Sequence, residues 1–375
     1  MLTESSRQAD FPSLDRMIYL NTAAEGIPPR AVNQALQQYA ANKAQGMDGR
    51  PLHEAQWNDM RRIAGQMLGL GEERIGICSS SSEAFNLASA ALRLTENDEV
   101  IINELDFPSG ITPWLPPISP ARTRLWRSRR GALEVDDLRS LLSPRTRVVS
   151  LSLVSFYNGF RAQFSNVVDV VRRSSDAAII VDVTQALGRI PIDVSGADLV
   201  IGSTYKWTLG IHSGALVGLP RSEQRWTVPC GGWFNLQNAF DSNRFECAVP
   251  KVGAASFCAG MPNYAAVYAN RAALEYIQGV GVGAIKSYAS PLMQACLEGL
   301  KTLDVELLTP SDAGCLAGIL AFRHSRAEHI HAYLQERNIH VMHNAGRLRV
   351  AVHGYNTLAD VEQFLSTLHE ALRHG

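Results

Sequence analysis

The chain has 375 residues, 46% hydrophobic and 19% charged, with a formal net charge of -1. That is an ordinary globular balance, with material for a large core and for about two or three domains. A near-neutral charge points away from nucleic-acid and anionic-membrane partners, and no apolar run approaches the ~18 residues of a membrane-spanning helix. The opening stretch "MLTESSRQADFPSLD" lacks a basic start followed by an apolar core, so a cytoplasmic protein is expected. The six cysteines are Cys78, Cys230, Cys247, Cys258, Cys296 and Cys315, with no CxxC pair among them. Neither a disulfide framework nor a metal site is expected, and most of them read as small buried hydrophobes.

In chain order, "PRAVNQALQQYAANKA" and "EAQWNDMRRIAGQMLG" carry helical periodicity. Short apolar runs then alternate with helical stretches. The runs are "RIGICS", "DEVIIN", "RTRLWR", "TRVVSLSLV", "AAIIVDV", "ADLVIGS" and "GALVGLP". They are β-branched and nearly continuous, as in strands covered on both faces. Helices such as "SSEAFNLASAALR" and "FSNVVDVVRRSS" fall between several of them. The pattern predicts an α/β domain with a mainly parallel seven-stranded sheet over about residues 15–260. From about Pro262 the pattern changes to long helices, "PNYAAVYANRAALEYIQGV" and "GAIKSYASPLMQACLEGLKTL". They are followed by "LAGILAFRH", a helix, "IHVM", "RLRVAVH" and a last helix, "TLADVEQFLSTLHEALR". This predicts a smaller α+β domain over 261–375, with residues 1–14 packed on it.

In such sheets, ligands bind at the carboxyl ends of strands. "CSSSSEAFN" follows a strand and opens a helix, which suits a phosphate, although plain serine capping explains it equally. "NELDFPSGITPW" places Phe107 in a loop, where it covers a flat ligand or simply packs. Asp182 ends "AAIIVDV"; a buried carboxylate there needs a partner, whether a ligand, a helix cap or an ion pair. Lys206 lies between Tyr205 and Trp207 in an apolar region. Desolvation lowers a lysine's pKa and makes it a nucleophilic amine, whereas a snorkelling lysine stays ordinary. Arg347 and Arg349 share one face of "RLRV", where a guanidinium grips a carboxylate or marks a sheet edge. Taken together, these are the parts that hold pyridoxal 5′-phosphate and an amino acid.

The sequence also resembles the class V aminotransferase family of fold-type I pyridoxal-phosphate enzymes, which includes cysteine desulfurases, kynureninase and isopenicillin-epimerase-like proteins. The likeness runs from "YLNTAAEGIPP" through "VDVTQALGRIPIDVSGADLVIGSTYKW" and "AGMPNYAAVYANRAALEYI" to "GRLRVAVHGYNTLADVEQF". It implies that Lys206 holds the cofactor as an internal aldimine and later shuttles the substrate Cα proton. It implies that Asp182 pairs with the pyridine nitrogen and that Gln185 bonds the ring hydroxyl. Ser81, Ser82, Ser203 and Tyr205 then serve the phosphate, and Phe107 covers the ring. Arg349 takes the substrate carboxylate, with Asn21 and Trp233 also at the substrate. Trp114, Trp207 and Phe234 are further candidates for the side-chain pocket. Met261 stands where the family has a threonine that reaches a neighbouring subunit's phosphate, so a homodimer is implied, with only a backbone N–H left at that contact.

Desulfurases carry a catalytic cysteine in a loop before the arginine strand. Here that link, "NIHVMHNAGRLRV", is short and has no cysteine. Direct persulfide chemistry is therefore not expected. Elimination at a carbon–sulfur bond ranks ahead of transamination and epimerisation. A non-catalytic binder of cofactor or amino acid remains an alternative. A nicotinamide dehydrogenase needs a GxGxxG, and the first strand–helix junction reads "CSSSSEA" instead.

Overall fold

The structure is a computed structural model that describes residues 1–221 and 224–373. All seven apolar runs form strands of one sheet. Its spatial order is Ile75–Cys78, Ala215–Gly218, Leu199–Gly202, Ala178–Asp182, Thr146–Ser152, Glu99–Asn103, Arg122–Trp126. Ala215–Gly218 runs antiparallel to both of its neighbours, and the other pairs are parallel. The central strands are buried at every residue, as their unbroken apolar sequence requires when helices cover both faces. Ser81–Leu92 covers one face, packing Phe85 and Ala88 against Val100 and Ile180. Arg50–Leu68 and Phe164–Ser174 cover the other, through Ile63 and Val167.

A second, four-stranded antiparallel sheet has the order Met342–Asn344, Arg347–Ala351, Ile319–Arg323, Glu306–Leu307. Val282–Lys301, Ala327–Gln335 and Leu358–Arg373 cover it around Leu297, Phe322, Leu348 and Phe364. The run "IHVM" divides between two sheets. Ile339–His340 pairs with Ile18–Tyr19, and Met342–Asn344 joins the four-stranded sheet. Tyr264–Val280, expected with the smaller domain, packs instead on Arg30–Lys43 and Arg50–Leu68. The reason is its apolar face: Tyr264, Val267 and Leu274 share a core with Met60 and Ile63. The N-terminal segment touches both regions. Phe11 lies 5.8 Å from the Tyr276 ring and 5.3 Å from that of Tyr355, and Arg7 pairs with Asp360 at 3.5 Å.

Candidate active site

Strand register assembles the site. Ser152, Asp182 and Ile201 are successive partners across three strands, so the strands end together. Asp182 is 7% exposed. Its Oδ1 accepts a hydrogen bond from the Thr184 N–H at 2.7 Å, and the Thr184 hydroxyl accepts one from the Ser203 N–H at 3.0 Å. These two bonds turn the chain after one strand and tie it to the end of the next. Burial pushes the Asp182 carboxyl above its ordinary range, with the Lys206 charge opposing.

Lys206 follows the strand Leu199–Gly202 and is 8% exposed. Its Nζ lies 5.3 Å from the centre of the Phe107 ring and 5.5 Å from that of Tyr205. Burial lowers its pKa to about 8; Asp182 opposes that shift and Arg349 adds to it. Trp207, expected at the amine, turns away. It is fully buried, stacks on His353 at 5.6 Å, and donates from its indole to Gln185 Oε1 at 2.6 Å. His353 Nε2 meets the Trp207 carbonyl at 2.8 Å, which ties the lysine loop to the arginine strand. Gly26 covers the loop from the other side. A Cβ there would stand 2.0 Å from the Lys206 carbonyl oxygen, so only glycine fits.

Gln185 donates to the Ala23 carbonyl at 3.0 Å. With Trp207 on its oxygen, one amide hydrogen is left for a ligand. Tyr205 stacks on His212 at 4.3 Å, and His212 Nε2 lies 3.3 Å from Glu25. Phe107 is 42% exposed, with its ring edge-on to Phe156 at 5.1 Å. That leaves a large apolar face open beside the amine.

The two arginines differ sharply. Arg347 donates to the Tyr157 carbonyl at 2.5 Å and lies 4.2 Å from the Tyr157 ring centre. Arg349 donates Nη1 to the Phe156 carbonyl at 2.8 Å, and its Nε is buried without a partner. Burial lowers its pKa to about 10. Asn21 bridges to Ala351 on the same strand, and its Oδ1 is likewise buried and unpartnered.

Ser81 and Ser82 open the helix Ser81–Leu92, but the N-cap is Ser80, which accepts from the Glu83 N–H at 3.1 Å. Glu83 in turn accepts from the Ser79 N–H at 2.6 Å. A cavity of about 170 Å³ lies between Ser79, Glu83, Gly214 and Met261, so the Met261 loop reaches this helix end within one chain. Trp233 sits on Phe234 at 5.5 Å and Phe240 at 5.8 Å. Trp114 is fully buried in the large-domain core, so it lines no open pocket. A groove of about 800 Å³ lies elsewhere, along Arg129, Asp136, Arg139 and Asp312. Two of its arginines are already paired, Arg129 with Asp137 and Arg139 with Asp136.

Sequence reading missed Thr184, Phe156, His353 and Asp106. Phe156 has the clearest signal, an aromatic two residues beyond the strand run "TRVVSLSLV". Of the cysteines, Cys78, Cys296 and Cys315 are buried, Cys230 and Cys258 half-buried and Cys247 exposed.

These residues fit pyridoxal 5′-phosphate. A carbonyl needs a neutral amine, and Lys206 supplies one. A cationic ring nitrogen needs a buried carboxylate without a strong partner, and Asp182 is one. An amino acid needs an open guanidinium, and Arg349 has an orphaned N–H. The aminotransferase class-V family profile matches residues 18–364. The uncharacterised aminotransferase YcbU of Bacillus subtilis is 24% identical, over 98% of this chain and 97% of its own. A probable cysteine desulfurase of Streptomyces coelicolor is 27% identical, over 83% and 79%. The fold is similar to that of apo cysteine desulfurase from Thermococcus onnurineus NA1, with TM-score 0.90, 20% identity and coverage of 100% and 99%. It is also similar to the cystine C–S lyase C-DES bound to its product cysteine persulfide, with TM-score 0.87, 19% identity and coverage of 96% and 99%. The chain belongs to the aminotransferase class-V family and is a pyridoxal 5′-phosphate-dependent enzyme.

Proposed function

We propose that the enzyme acts on an α-amino acid by removing its Cα proton and eliminating a sulfur leaving group from Cβ. The observation that carries the amino-acid part is Arg349, a buried guanidinium near Lys206 with an unpartnered N–H. Arg349 and Asn21 seat the substrate carboxylate, which sets Cα toward Lys206. Lys206 Nζ, made easier to deprotonate by burial, takes the Cα proton. The bound cofactor supplies the carbonyl and the electron-withdrawing ring. Asp182 holds a proton on the ring nitrogen, Gln185 meets the ring hydroxyl, and Phe107 covers the ring and excludes water. Ser81, Ser82, Ser203, Tyr205 and the Met261 backbone serve the phosphate.

Two features support elimination. No cysteine lies between Leu316 and the C-terminus, so the hairpin ahead of Arg349 has no sulfur acceptor. The fold is also that of a cystine C–S lyase. Transamination is the second reading, favoured by the aminotransferase relative. The holoenzyme, given a panel of L-amino acids that includes cystine and cysteine S-conjugates, should release pyruvate and ammonia together with a thiol from the S-conjugates or a persulfide from cystine. A keto acid without thiol would select transamination, and a D-amino acid alone would select epimerisation.

Asp182→Asn should retain the cofactor and lose turnover. An amide cannot hold the ring proton by charge. A fall of two pKa units at the paired nitrogen corresponds to about 100-fold. Steady-state kcat within a few-fold of the parent would remove Asp182 from this role.

A homodimer is expected through the segment around residues 233–252. Phe240 is 78% and Phe245 85% exposed there, large apolar side chains that a partner subunit would cover. Light scattering should give twice the chain mass, and Phe245→Asp should weaken the dimer. A stable, active monomer would contradict this.

A further inference from the structure

Asp106 immediately precedes Phe107, in the loop that leaves the strand Glu99–Asn103. Its side chain turns inward, and the residue is 6% exposed. Oδ1 accepts a hydrogen bond from the Ser152 N–H at 2.7 Å. Ser152 is the residue in register with Asp182. Two buried carboxyls therefore meet at one end of the sheet. Asp182 is the charged group that acts on Asp106, while Lys206 acts on Asp182. The other faces turned to Asp106, from Asn103 and Ser152, carry no charge.

The loop does not need a charge here to stay in place. The Ser155 hydroxyl donates to the Leu105 carbonyl at 2.8 Å, and the Ser150 hydroxyl to the Gly110 carbonyl at 3.2 Å. An uncharged acceptor at 106 would satisfy the Ser152 N–H equally well. Two like charges in a dry site repel, and the favoured state gives one of them a proton.

We propose that Asp106 is a proton-bearing partner of Asp182, a positioning residue that keeps a single negative charge at the ring-nitrogen end of the cofactor site. This rests on the reading of Asp182 given above. Burial, reinforced by Asp182, pushes the Asp106 carboxyl up to about 7 from 3.8. The native chain then holds a proton that the unfolded chain has released. Between these values the native state binds more protons, so this contribution to stability falls as pH rises and is lost through about 7.

Thermal unfolding of apoprotein tests the idea without any turnover. Asp106→Asn keeps the acceptor for Ser152 and removes the titration. At pH 5 its Tm should exceed the parent's only modestly, because part of the contribution is already lost between 3.8 and 5. At pH 8 it should melt higher still, by about 1–2 °C for each kcal/mol of repulsion removed. Asp106→Ala, which loses the hydrogen bond, should melt lower at pH 5. If Asp106→Asn is neutral or destabilising by the same amount at both pH values, Asp106 is only a loop clamp and the proposal fails. Infrared spectra of the wild-type apoprotein give an answer even if the variant does not fold. A protonated-carboxyl band at pH 6 that fades by pH 8.5 supports it, and Asp182→Asn, by removing the repelling charge, should move that fading to lower pH; no such band overturns it. Cofactor titration separates the two readings: a chain that melts as described but binds no pyridoxal phosphate would refute the role of Asp182 and leave the carboxyl pair standing.

Discussion

Lys206→Ala should reduce turnover below detection and let the cofactor pass out on gel filtration. Both effects follow from one atom. Burial brings the Nζ pKa from 10.5 to about 8, so at pH 8 about half of the amine is neutral, against about 0.3% for an ordinary lysine. Covalent anchoring and Cα proton transfer both need that neutral form. Proton transfer by a positioned base is worth about 10²–10⁴-fold on its own, and loss of the anchor adds to it. The sign with pH is fixed. In the wild-type apoprotein, the rate of covalent cofactor capture should rise through about pH 8 and level off above it. A rise that begins only near the ordinary lysine range would show that the site does not tune Lys206.

The second large effect concerns the substrate. Arg349→Lys should raise KM by about 10–100-fold, a loss of about 1.4–2.8 kcal/mol. A guanidinium offers two parallel hydrogen bonds to a carboxylate, and an ammonium does not. Arg349 already spends Nη1 on the Phe156 carbonyl, which fixes its plane. The cofactor absorbance should be unchanged. Arg347→Lys provides the contrast. Arg347 bonds the Tyr157 carbonyl and lies over the Tyr157 ring. Its replacement should therefore cost about 1 kcal/mol of stability through the lost ring contact and change KM little. Saturation kinetics and thermal melts on the two variants check this. If KM follows Arg347 instead, the carboxylate site is on the wrong arginine.

Residues on strand ends were the most legible part of the site. Asp182, Lys206 and Arg349 stand in apolar runs where a charge is conspicuous, and their strands are fixed by uninterrupted β-branched sequence. Loops that return to those ends were less legible. Phe156 acts through its own backbone carbonyl on Arg349, and Asp106 through the Ser152 N–H, which no residue pattern encodes. Trp207 was misplaced because neighbours in an irregular turn were read as facing the same way. Its side chain goes to the core with His353, while Phe107, about a hundred positions earlier, supplies the ring at the amine. The partners of the helix Tyr264–Val280 were not legible, because its periodicity shows that it buries a face but not against what.

The central claim is that Lys206 is the covalent anchor. Holoenzyme reduced with borohydride, digested and mapped by mass spectrometry tests it most directly. The account predicts a pyridoxyl-phosphate mass on the peptide carrying Lys206 and on no other lysine. The label on a different lysine, or cofactor released wholly unattached after reduction, would contradict it.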